Sequence, residues 1–189
     1  MNFVINKKII GIVFGIIIFM QSAVFAQEAE LDNIIVTNTR DDLLLYFNVK
    51  GAFTKEMEEA ILSGVPASFT YFITLHRVRD MWLDEKLSDI EIVYTIKYNK
   101  MKNEFAFYQS HGNEKPEIFK SLNEAKKHMS EIESLQVIQI DRLKKGSHYQ
   151  ISSKAELSKL TLPLYMHYLL FFVSIWDFET DWYTIDFTY

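Results

Sequence analysis

Alternation of apolar and polar residues dominates the chain from residue 31 to residue 157, and its period of two predicts strands. Ile90, Ile92, Tyr94, Ile96 and Tyr98 fall on one face, opposed to Asp89, Glu91, Val93, Thr95 and Lys97. A strand with that pattern buries one face and wets the other. From Ser68 to Arg79, Phe69, Tyr71, Ile73 and Leu75 share a face, with Ser68, Thr70, Thr74 and His76 opposite. Leu43, Leu45, Phe47 and Val49 mark a third strand over 42–50, and further strands are expected at 31–37, 104–110, 134–141, 148–157 and 181–188. Asn99 to Asn103 and Lys144-Lys145-Gly146 carry turn chemistry and predict hairpin connections between the runs beside them.

Two segments break the alternation with helical spacing. Thr54 is placed to cap a helix over 55–62, with Glu56, Glu58 and Glu59 near its positive end and Gly64 just past its end. Ser121 and Glu124 have capping-box spacing, after which Leu122, Ala125, Met129 and Ile132 recur on one face. Both helices read as covers over a sheet edge or sandwich end, because the strands come in hairpin-linked runs rather than as parallel crossover units. The fold class expected is mainly β: an antiparallel β-sandwich, an immunoglobulin-like two-sheet arrangement, with two or three short helices.

Two apolar runs follow neither period. Lys7 and Lys8 precede the run Ile9 to Met20, which leads to the small-residue pattern Val24-Phe25-Ala26. This is the pattern of a secretory signal peptide, too short for the ~20 residues of a membrane-spanning helix. Residues 1–26 are therefore expected to be cleaved near Ala26, leaving 27–189 as a single β-rich domain in the periplasm or outside the cell. The second run, Leu162 to Ile175, is interrupted only by His167 and Ser174 among polar residues. It reads as a buried helix or strand entered through Pro163, or as a surface presenting Tyr165, Tyr168, Phe171, Phe172 and Trp176 to lipid or a partner protein. With Trp182, these five form the expected binding surface.

Composition narrows the classes. The chain has 189 residues and no cysteine, which excludes disulfides, thiolate metal sites, a cysteine nucleophile and a lipidated cysteine. Residues 1–26 contain only Lys7 and Lys8 as charges, so the rest holds 18 basic against 25 acidic side chains, an acidic balance that argues against nucleic acid. Fifteen Phe, ten Tyr and three Trp exceed what one small core demands and suggest aromatic surface.

Candidate chemistry is sparse. The histidines at 76, 111, 128, 148 and 167 have no pair at the spacing of a helical zinc site. Asp177, Glu179 and Asp181 alternate, but without the glycine and closing glutamate of a calcium loop. The segment Arg77 to Asp84 is expected to lock a turn by ion pairing and by packing of Trp82. Neither a nucleophile elbow nor a phosphate loop is present in the sequence, so no enzyme activity, metal or cofactor is expected.

In the order of its parts the chain resembles the bacterial exported family classed as domain of unknown function 4390. The likeness runs through Tyr46-Phe47, the capped helix ending in Gly64-Val65-Pro66, and the long strand closing in Arg77-x-Arg79-x-x-Trp82. It continues through Tyr94 to Tyr98 and Leu162-Pro163 to Trp176 and Trp182, nearly the whole of 27–189. The resemblance implies an exported envelope protein and supplies no catalytic or binding residue. The function expected is a non-catalytic binding or interaction module whose partner is an envelope protein or a membrane surface. Two alternatives remain open: an eight-stranded outer-membrane β-barrel, since Tyr183, Ile185, Phe187 and Tyr189 alternate with polar residues, and a periplasmic carrier of a small apolar molecule.

Overall fold

The computed structural model describes residues 29–111, 115–157 and 179–189. The chain order is β1 (Glu30–Asn38), β2 (Asp42–Lys50), α1 (Lys55–Ser63), β3 (Ala67–Arg77), β4 (Glu85–Asn99), β5 (Glu104–Gln109), β6 (Glu117–Phe119), α2 (Leu122–Ser130), β7 (Glu131–Gln139), β8 (His148–Leu157) and β9 (Tyr183–Thr188). A single 3-10 turn, Ile140–Arg142, follows β7. Among the described residues the strands form two antiparallel sheets, one ordered β1-β2-β7 and the other β6-β5-β4-β3-β8-β9. The expected mainly β, two-sheet architecture is what the chain adopts. The barrel is not: both sheets end in edge strands among the described residues, so the alternation of the last strand reflects an ordinary half-buried sheet edge.

Period-two burial makes the interior. Phe69, Tyr71, Ile73 and Leu75 of β3, Ile92, Tyr94 and Ile96 of β4, and Leu43, Leu45, Phe47 and Val49 of β2 are all buried. Rings join the sheets, with Phe47 of the small sheet and Tyr71 of the large one 5.8 Å apart at 60°, and Tyr71 meeting Tyr94 edge-on at 5.3 Å. Tyr71 is wholly buried, and its hydroxyl donates to the Met129 carbonyl at the end of α2.

Both helices begin and end for local reasons. Thr54 accepts a bond from the Met57 amide at 3.3 Å, and Gly64 closes α1 in the left-handed region at φ 94°. The Gly64 and Val65 amides donate back to the Ile61 and Ala60 carbonyls, the paired closure that only an easy left-handed residue permits. The capping box expected at Ser121 does not form: Ser121 holds the N-cap position but makes no side-chain cap bond. Nor does α2 reach Ile132, which lies in β7 opposite Phe47 and is buried there.

The expected hairpin at Lys144-Lys145-Gly146 is also corrected. β7 pairs with β2 and β8 pairs with β3, so residues 140–147 carry the chain from one sheet to the other. The helices make the remaining described crossings, α1 from β2 to β3 and α2 from β6 to β7. Lys126 of α2 pairs with Glu58 of α1, fastening the helices together at that end of the molecule.

Candidate functional site

At the end away from the helices, β3 and β4 meet in the seven-residue loop 78–84. Arg77 and Glu85 close the ladder as a cross-strand pair, and both Arg77 and Arg79 donate through Nη2 to the same Glu85 oxygen. The bond from Arg79, with the charges of Arg77, Arg79 and Lys144, holds the Glu85 carboxyl below the usual carboxylate range. The Arg79 amide donates to the Asp84 carboxylate at 3.1 Å, and the Val78 amide to the His148 carbonyl at 2.9 Å. The base of the loop is thus tied across its own width and to β8.

The tip is not tied down. Met81, Trp82 and Leu83 are 90%, 80% and 92% exposed. The expectation that ion pairs and Trp82 lock the segment 77–84 is met only in part: both arginines pair, but with Glu85 just outside it, and the ring stands in solvent. No other described stretch exposes three consecutive large apolar side chains. Such a run is a signal in the sequence itself, because consecutive residues of a turn cannot all face a core.

Neighbouring turns gather at the same end. The Ile140 amide donates to the Asp41 carbonyl, and Ser88 Oγ donates to the Val137 carbonyl at 2.9 Å, joining the sheets there. The Tyr149 hydroxyl accepts from the Lys144 amide at 2.6 Å and donates to the Lys144 carbonyl at 3.3 Å. Gly146 and Ser147 exchange backbone bonds with Tyr189. Exposed Arg142, Lys144 and Lys145 ride on this pinned turn, and none of their side chains forms an ion pair among the described residues.

Comparison with known proteins gives a family. A domain of unknown function, DUF4390, matches residues 26–186. The chain belongs to the DUF4390 family. Neither a curated protein nor a solved structure matches it.

For this DUF4390 chain, the expected aromatic surface is only partly on view. Tyr165, Tyr168, Phe171, Phe172 and Trp176 lie outside the described residues, as do His167, Asp177 and the expected signal segment 1–26. Trp182 is described and is 52% exposed. Lys154 lies 5.8 Å from the Trp182 ring centre and pairs with Glu156 and Glu179, so Glu179 serves an ion pair on the outer face of β8. His128 stacks on Phe119 at 4.6 Å, and His148 shares a 2.9 Å hydrogen bond with Thr188. The DUF4390 fold therefore brings together Arg77, Arg79, Glu85 and the 81–83 tip, and leaves Trp182 at a different place, on the β8–β9 edge.

Proposed function

We propose that this DUF4390 protein is a non-catalytic binding module of the bacterial envelope, exported by its N-terminal segment and cleaved near Ala26, with the 81–83 tip as a contact surface. The observation that carries the binding reading is the near-complete exposure of Met81, Trp82 and Leu83 on a loop whose base is fixed by Glu85. Large apolar side chains held in water by a rigid base cost free energy that only a partner recovers. Preorganisation at the base lowers the ordering cost of the loop on binding. The family match begins at Ala26, beside the expected cleavage point, and this supports export. Phe47 and Tyr71 meet between the described sheets, among fully buried aliphatic residues, which supports contact through the surface over carriage of a ligand inside.

A photoreactive amino acid placed at Trp82 in living cells tests the reading, with Lys97 as the control near the far end of β4. Crosslinks from position 82 and none above background from position 97 are expected. Equal yields at the two positions refute it. Mass spectrometry of the same protein checks export, which requires an N-terminus at Gln27; a chain retaining Met1 in the cytosol refutes that part.

A further inference from the structure

The geometry points to a phospholipid bilayer bearing anionic headgroups as the partner of the 78–84 end, an inference that rests on the tip being the contact surface. Three observations carry it together. Met81, Trp82 and Leu83 are consecutive and each at least 80% exposed, so none of them is packed into the domain. A fluid apolar interface takes up all three at once without shape complementarity to any of them. Tryptophan at such a boundary places its apolar ring among acyl chains and its N–H among headgroups.

Charge supplies the second observation. Arg142, Lys144 and Lys145 stand exposed on the adjoining turn, without ion-pair partners among the described residues. Tyr149, opposite Arg77 in the β3–β8 ladder, and Val78 tie the backbone of that turn to the hairpin base, which puts the cations at the same end of the domain as the tip. Cations flanking an apolar wedge are what an anionic headgroup layer attracts.

The third observation concerns the acids. The chain carries a net charge of -5, which by itself repels an anionic surface. At this end one acid is neutralised and one is bonded: Glu85 is taken up by two arginines and Asp84 accepts the Arg79 amide. Asp41, Asp80 and Asp141 remain, exposed and without an ion pair among the described residues, against Arg40, Arg142, Lys144 and Lys145. Asp80 and Asp84 bracket the apolar triad and set the depth of insertion, since only the three residues between them enter the acyl boundary while the carboxylates stay hydrated.

The test uses the full chain with Trp176→Phe and Trp182→Phe, which leaves Trp82 as the sole tryptophan. It is mixed with vesicles of phosphatidylglycerol and phosphatidylcholine, or of phosphatidylcholine without phosphatidylglycerol, both containing the same share of brominated lipid. Trp82 emission is expected to shift to the blue and to be quenched by the lipid bromines on the phosphatidylglycerol vesicles. Lys144→Gln with Lys145→Gln is expected to raise the lipid concentration for half-quenching about 25-fold, at roughly fivefold per lysine near an anionic surface. Lys144→Arg with Lys145→Arg should restore it, separating charge from folding. Absence of lipid quenching overturns the bilayer assignment. Equal quenching on phosphatidylcholine, or none of the expected shift in the Gln variant, overturns the anionic headgroups. Crosslinks from position 82 to a protein, with no lipid quenching, overturn this inference and leave the binding surface standing; absence of both overturns both.

Discussion

Replacing Tyr71 by Phe removes one oxygen from the centre of the molecule and nothing else. The ring keeps its contacts with Phe47 at 5.8 Å and Tyr94 at 5.3 Å, so the apolar burial is unchanged. What disappears is the donor to the Met129 carbonyl, one of the last carbonyls of α2 and therefore without a helical partner of its own. Leaving a buried acceptor unpaired costs about 2 kcal/mol within a usual range of about 1–3. For a domain of this size that corresponds to a fall of about 4–8 °C in thermal midpoint. It also moves the urea midpoint down by about 1 M at a typical slope of about 2 kcal/mol per molar. Burial pushes the Tyr71 phenol well above the usual tyrosine value, which adds a second signature. Below the unfolded value near 10.0 both states hold the proton; above it the unfolded chain ionises while the folded one does not, so stability falls as pH rises. Tyr71→Phe abolishes that group's share of the alkaline slope, up to about 1.4 kcal/mol per pH unit, while Tyr94, raised for the same reason, keeps its own. Urea titrations of both proteins from pH 7 to pH 11 measure both effects. Equal stability within about 0.5 kcal/mol at pH 7 and identical alkaline slopes would refute the account of the core.

Two further substitutions probe the site and the β8–β9 edge. Glu85→Gln leaves Arg77 and Arg79 facing each other without their shared anion, so amide exchange at Val78 and Arg79 should quicken while the thermal midpoint barely moves; unchanged exchange counts against the clamp. Because the Glu85 carboxyl is held below its ordinary value of 4.5, its contribution is fully present above that value and drains away as pH falls through the folded one, so wild-type protein should loosen at the loop only in acid. Ser153 has a buried hydroxyl without a hydrogen-bond partner among the described residues. Ser153→Ala removes that unpaired group and should raise stability by about 1 kcal/mol, seen as a rise of about 2–4 °C in calorimetry; a fall shows that the hydroxyl has a partner.

Most strands were legible because burial on one face writes itself into the sequence with period two, as in β2, β3 and β8, whose inward residues are all buried. The start of β4 was less so. The ladder slips between Leu75 and His76, so Leu87 packs on the core in the opposite phase to Ile90 and Ile92, and a strict alternation begins only at Asp89. β6 has three residues, too few to show any period. Which sheet a strand joins leaves no local trace: Lys144-Lys145-Gly146 has turn chemistry whether its flanks pair with each other or diverge, and here they diverge. The site was half legible for a similar reason. Arg77, Arg79 and Glu85 advertise ion pairing by charge, but whether Trp82 folds back onto the sheet depends on the loop's path.

That path follows from how the ends of the two sheets are used. At one end the chain crosses between sheets through α1 and α2, whose buried faces and Lys126–Glu58 pair close the sandwich. At the other it crosses through residues 140–147, which hold one 3-10 turn but no α-helix to cover the sheet ends and are held instead by hydrogen bonds from Ile140, Lys144, Gly146 and Val78. A crossing without a helix leaves the β3–β4 loop nothing to pack against, so its apolar residues remain outside, while the bonds beneath keep it from collapsing. Exposure of Met81, Trp82 and Leu83 is then a property of the frame and not of their own contacts. Polar substitutions at those three positions should therefore leave folding intact, which is what allows a loss of binding there to be read as loss of a contact surface.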